Sequence, residues 1–179
     1  MKHAKLLVGV GILAAVVAGS ALAQEAKKEE PVHKYVGVLK CKMCHNSAAK
    51  GAQYTVWTTM KHSKAFAALA SDSAKKIAKD KGIEDPQKDP KCLKCHVTGY
   101  GKPAEEFEAT FKPEDGVQCE ACHGPGKDYM AMQVMKDIRG GKKDGTPLGL
   151  VMPTEKVCLG CHNSESPTFK EFNFTADST

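Results

Sequence analysis

The sequence predicts a mainly α protein of short helices and loops, with little or no sheet, organised around something other than its own side chains. Two observations carry this. The pattern Cys-x-x-Cys-His occurs four times, at Cys41 to His45, Cys92 to His96, Cys119 to His123 and Cys158 to His162, and uses all 8 cysteines of the chain. The apolar stock is also thin, with 1 tryptophan, 4 tyrosines and 6 phenylalanines in 179 residues, and few long apolar runs. Such an inventory does not build a large protein-only core.

Two thiols at that spacing on one short turn can form thioethers to the two vinyl groups of a haem, and the adjoining histidine reaches the iron from the proximal side. Cys41 and Cys44, Cys92 and Cys95, Cys119 and Cys122, and Cys158 and Cys161 are therefore read as attachment cysteines, with His45, His96, His123 and His162 as proximal ligands. A zinc ribbon also pairs Cys-x-x-Cys units, and the cysteines of an exported chain can form disulfides. Neither accounts for a histidine directly after the second cysteine in every copy. Four covalently bound haems c follow, and the porphyrins become the core around which the chain wraps.

At the N-terminus, Lys2 and Lys5 precede an apolar and glycine run from Leu6 to Ala18, and Ala21-Leu22-Ala23 closes it. This is the pattern of a secretory signal peptide over residues 1–23, cleaved before Gln24. The run is short for a membrane span, and no cysteine follows that could carry a lipid. Residues 24–179 are then a single tetrahaem domain, exported to the periplasm, with the cell exterior as the alternative address.

Without Lys2 and Lys5, the full chain's 26 basic residues become 24 against 21 acidic ones, a formal +3. Haem propionates make the loaded protein more acidic than that. The lysines are spread without aromatic interleaving, so nucleic acid is not an expected partner.

Along the chain, Pro31 turns a polar start into Val32-His33-Lys34-Tyr35-Val36-Gly37, and His33 is a candidate axial ligand because histidine is the commonest iron partner. From Tyr54 a helical pattern continues to Lys81, with His62, Phe66, Leu69 and Ser73 on one face. Gly82 and Asp85-Pro86 stop it. A histidine on an apolar stripe is normally a core residue, but where haem is the core that face meets porphyrin, and His62 is read as a distal ligand.

Gly99, Gly101 and Pro103 make a loop between the second and third motifs. Pro125 and the flanking glycines turn the chain tightly beside the third, which brings haems near one another. Tyr129 to Met135 reads as a short helix with Met132 and Met135 on one face. Thioether sulfur is an established axial ligand that raises the potential relative to histidine, so Met130, Met132 and Met135 are further axial candidates, with Met152 an outlying one in the glycine-rich loop Ile138 to Pro153.

Trp57 and His62 after the first motif, Cys95-His96-Val97-Thr98-Gly99-Tyr100-Gly101, and the stretch Gly116 to Gly126 together resemble the tetrahaem cytochrome c-554 family, over most of residues 35–170. The resemblance implies haems in nearly parallel stacked pairs, a distal role for His62 opposite His123, and a five-coordinate haem on His96. Two departures matter: Met130 to Met135 stand where the family usually places a distal histidine, and the family's longer C-terminal region is missing.

The function expected is electron transfer: a tetrahaem c-type cytochrome that takes single electrons from one redox protein and gives them to another, with no catalytic residues of its own. Two other classes are weighed against it, a reductase of a small nitrogen oxide or peroxide at an open haem, and a subunit of an extracellular haem filament.

Overall fold

The structure is a computed structural model that describes residues 31–177; the expected signal peptide and the polar start after it lie outside the described residues. Among the described residues nine α-helices, each of nine residues or fewer, follow one another: α1 Val38–His45, α2 Gln53–Thr59, α3 Ala65–Ala68, α4 Asp72–Asp80, α5 Pro90–His96, α6 Cys119–His123, α7 Met132–Arg139, α8 Glu155–Leu159 and α9 Phe174–Asp177. Short 3-10 turns join several of them, and among the described residues no strand forms beyond one isolated parallel bridge between Tyr35 and Phe107. The fold is mainly α, as the sequence predicts.

The long helical pattern from Tyr54 to Lys81 is not one helix. It breaks into α2, a 3-10 turn at Lys61–Lys64, α3 and α4. Hydroxyl side chains compete for the backbone carbonyls here: Thr58 and Thr59 donate to the carbonyls of Thr55 and Val56 at 2.6 and 2.7 Å, and Ser63 Oγ donates to that of Met60 at 2.8 Å. Such local bonds stabilise non-helical alternatives. Ser71 then caps α4 by accepting from the Ala74 N–H at 3.2 Å. The stop at Gly82 is as expected: its φ of +67° lets the Ile83 N–H return to the Ala78 carbonyl at 2.8 Å.

The buried apolar side chains are few: Tyr35, Val36, Val38, Leu69, Ala78, Ile83, Val97 and Tyr129. Tyr35 stacks on Phe107 with ring centroids 5.2 Å apart, and Phe111 completes this small aromatic group 4.6 Å from Phe107. Around it the chain is held by buried polar groups. Gln118 accepts from the Val38 N–H at 2.7 Å and donates to the Lys112 carbonyl at 2.8 Å, while the Thr98 hydroxyl accepts from the Gln118 N–H. Gly37, at the start of α1, has φ +85°, and a Cβ there would come within 2.8 Å of the Thr110 carbonyl oxygen. Glycine is required at this point, and the close approach docks the first motif against residues 110–111.

Candidate haem-binding sites

Three of the four motifs lie wholly on one-turn or two-turn helices that end on their histidine: α1, α5 and α6. A helix places residues i, i+3 and i+4 on one face, so both thiols and the imidazole of each motif point the same way. The fourth motif begins in α8 and leaves it before His162, whose N–H still closes a helical bond to the Cys158 carbonyl at 2.9 Å. Asp89 and Pro90 start α5, with the Asp89 carboxylate accepting from the Lys91 N–H at 2.8 Å.

All eight thiols are free and partly accessible. Sequence order does not predict which motifs meet. The Cys41 thiol donates to Cys119, which raises the Cys41 pKa well above the ordinary thiol range and lowers that of Cys119. Burial, with Cys95 beside it, pushes Cys161 up to about 12. Burial also raises Cys122, with Cys158 as the next cause. The first motif therefore meets the third and the fourth meets the second, and Ala121 of the third motif lines one cleft with Cys161 of the fourth. Lys94 of the second motif also pairs with Glu165, just beyond the fourth.

Two of the motif histidines, His45 and His96, are oriented in a way that suits iron. His96 Nδ1 lies 2.6 Å from the Ala65 carbonyl oxygen and His45 Nδ1 3.4 Å from Gln53 Oε1. An Nδ1–H facing an acceptor leaves the lone pair on Nε2. The ring that His62 meets is that of His162, at a centroid distance of 6.0 Å and an interplanar angle of 84°. The resemblance implied a partner across from His123; the ring contact of His62 is with His162 of the fourth motif. Burial, then the neighbouring His162, lowers the His62 pKa, which favours the neutral imidazole a metal needs. Its backbone carbonyl accepts from the Val117 N–H at 3.1 Å, and Trp57 Nε1 donates to the Val117 carbonyl at 2.8 Å, so the Trp57 and His62 segment is tied to the entry of the third motif. Phe172 stacks on the other side chain of the pair, 4.7 Å from His162.

His33 pairs with Asp128. Met130 and Met132 are exposed on the polypeptide, Met135 is half-buried on α7, and Met152 is 72 % exposed. The structure therefore brings His62 to a motif histidine and sets His33 on a carboxylate.

Sequence reasoning missed Glu120. It sits between the two cysteines of the third motif, is fully buried, and accepts from the N–H groups of Val36 at 2.9 Å, Gly37 at 2.7 Å and Gly126 at 2.7 Å. Burial raises its pKa, and the three donors oppose that rise. The carboxylate locks the entry of α1 to α6. Its only sequence signal was an acidic residue inside a glycine-flanked motif. Tyr129, also missed, donates its hydroxyl to the Gly124 carbonyl at 2.8 Å and fixes the exit of the same motif.

The residues fit a porphyrin. A cleft of about 390 Å³ is walled by Phe66, Leu93, Val97, Phe107 and Phe111, and a second of about 210 Å³ lies between Cys95, Cys161, Ala121 and Tyr35. Both run along Val97 to Tyr100, the segment leaving the second motif. The second cleft carries one thiol each from the second and fourth motifs, and apolar walls with cysteine sulfur suit haem c.

The family model for cytochrome c554 and c-prime matches residues 40–124. Cytochrome c-554 of Nitrosomonas europaea is 32% identical over 183 aligned residues, covering 93% of this chain and 72% of the relative. The chain belongs to the cytochrome c-554 family. As a member it is a c-type cytochrome that binds haem c covalently and acts in electron transfer between redox proteins. The stretch Cys41 to Gly124, with three of the four motifs, lies inside the matched segment. No solved structure matches the chain. No helix among the described residues is long and apolar enough to cross a membrane.

Proposed function

We propose that this cytochrome carries four haems, one on each motif, in a single domain over residues 24–179, and relays single electrons in the spatial order first, third, fourth, second. The observation that carries the order is the meeting of motifs far apart in sequence: Cys41 hydrogen-bonds to Cys119 and Cys161 to Cys95, while Ala121 of the third motif lines one cleft with Cys161 of the fourth. Thioether attachment fixes each porphyrin edge to its cysteines, so adjoining thiols mean adjoining edges. When bound, haem supplies a one-electron ferric/ferrous couple at each position.

The chain's own residues set the rest. His45, His96, His123 and His162 bind from the proximal side. His62 would serve as the second axial group at the fourth motif, where its ring stands edge-on to that of His162 with centroids 6.0 Å apart. Met130, Met132, Met135 and Met152 stay as candidates for irons that no histidine reaches. Glu120, Gln118 and Tyr129 keep the first and third motifs in register. The export pattern of residues 1–23 and the extracytoplasmic chemistry of haem attachment support a periplasmic location.

The test is a set of holoprotein variants in which one motif at a time loses its two cysteines to alanine, followed by stopped-flow reduction. Loss of the third or fourth motif should interrupt transfer between the remaining haems, while loss of the first or second should only shorten the relay. Equal effects from all four would count against the order. Incubating the wild type with hydroxylamine, nitric oxide or peroxide separates a carrier from a small-substrate reductase, and no steady turnover is expected.

A further inference from the structure

His33 and His62 are the two histidines that lie outside both the motifs and the expected signal peptide. His33 is held through Nδ1, as His96 is. Its Nδ1 stands 2.6 Å from Asp128 Oδ2, across 95 residues of sequence. An ionised carboxylate can only accept, so His33 donates from Nδ1 and keeps its lone pair on Nε2. The plain alternative is a histidine and a carboxylate paired at the surface. Against that, the His33 side chain is only 18% exposed, and its ring packs so closely on Gly149 that a Cβ there would come within 2.8 Å of it. The backbone is pinned too, because the Lys127 N–H donates to the Lys34 carbonyl at 3.1 Å. Gly149 in turn lies against Gly124, the residue after His123. The arm carrying His33 is therefore fastened by main-chain and side-chain bonds to the exit of the third motif, which abuts the first.

We propose that His33 is the distal ligand of one iron in the pair held by the first and third motifs, and that Asp128 is its positioning residue. This rests on the haem reading above. The carboxylate fixes the ring and its tautomer and makes Nε2 more basic, more strongly than the amide at His45 or the backbone carbonyl at His96. A more basic axial nitrogen favours ferric iron, so this haem has a lower potential than it would with an uncharged partner on His33.

The experiment uses holoprotein with four haems verified by pyridine haemochrome. In His33→Ala one low-spin signal should become high-spin by electron paramagnetic resonance, and the reduced protein should take up one more equivalent of carbon monoxide. Added imidazole should restore the low-spin signal. His33→Ala combined with His62→Ala should lose two low-spin haems, since the two histidines serve different irons. Asp128→Asn should keep the low-spin count but weaken the preference of one haem for the ferric state about tenfold, a rise of about 59 mV for a one-electron couple, and Asp128→Glu should return it towards the wild type. If His33→Ala does not hold four haems, His33→Met takes its place and should raise one potential. Four haems with an unchanged spectrum and unchanged carbon monoxide uptake in His33→Ala would overturn the ligand. Unaltered potentials in Asp128→Asn would overturn its positioning role. A wild type with fewer than four haems would instead defeat the underlying haem reading.

Discussion

The imidazole rings of His62 and His162 stand 6.0 Å apart between centroids, with their planes turned 84° from one another, although a hundred residues of sequence separate them. Two imidazoles that each bond one metal ion at about 2 Å through a single nitrogen place their centroids about 6 Å apart. An edge-to-face ring contact spans about 4.5–7 Å as well, so substitution rather than spacing separates an axial pair from a packed one.

His62→Ala should therefore expose one iron. We expect one low-spin haem to become high-spin and to bind carbon monoxide when reduced. His62→Met should instead raise the potential of one haem, because thioether sulfur favours the ferrous state relative to imidazole. An unchanged spectrum in both variants would return His62 to the role of a core residue.

The four motifs predict a mass. The mature chain should be heavier than its sequence by four haem units, and the haem should stay with the protein through acid acetone extraction because thioethers are covalent. Replacing Cys158 and Cys161 by alanine should reduce the count to three. A wild-type count below four would mean that a motif is empty.

Glu120 predicts a stability effect. Its carboxylate serves three backbone donors from two segments, and hydrogen bonds to a charged group are each worth about 1.5–3 kcal/mol. Glu120→Gln turns one acceptor into a donor facing another donor. Denaturant unfolding of the holoprotein should show a loss of about 3 kcal/mol or more, and the potentials of the first and third haems should shift together as their spacing relaxes. A loss below about 1 kcal/mol would show that the clamp is dispensable.

With only eight apolar side chains buried among the described residues, the polypeptide alone should not be a stable fold. Apoprotein made by replacing all eight cysteines with alanine should lack the helical circular dichroism of the holoprotein. A folded apoprotein would show that porphyrin is not the core.

Much of this protein is legible in its linear order, because the chemistry that matters is local. Cysteine, cysteine and histidine within five residues suffice to name a haem site, and one helical turn converts that spacing into a common face. The scarcity of large apolar residues likewise announces a core supplied from outside, and the stop at Gly82 follows from its own backbone freedom. The break of the pattern between Tyr54 and Lys81 was less visible, since Thr58, Thr59 and Ser63 compete with the helix through bonds that a periodicity count ignores. What only the tertiary structure decided is pairing. That Cys41 meets Cys119, that His62 finds His162, that His33 reaches Asp128 and that Glu120 gathers the N–H groups of Val36 and Gly37 all depend on contacts across 78 to 100 positions. Local propensity carries no information at that range; the partners are chosen by burial and by the need of each buried polar group for a hydrogen bond, both of which exist only once the chain has closed on itself.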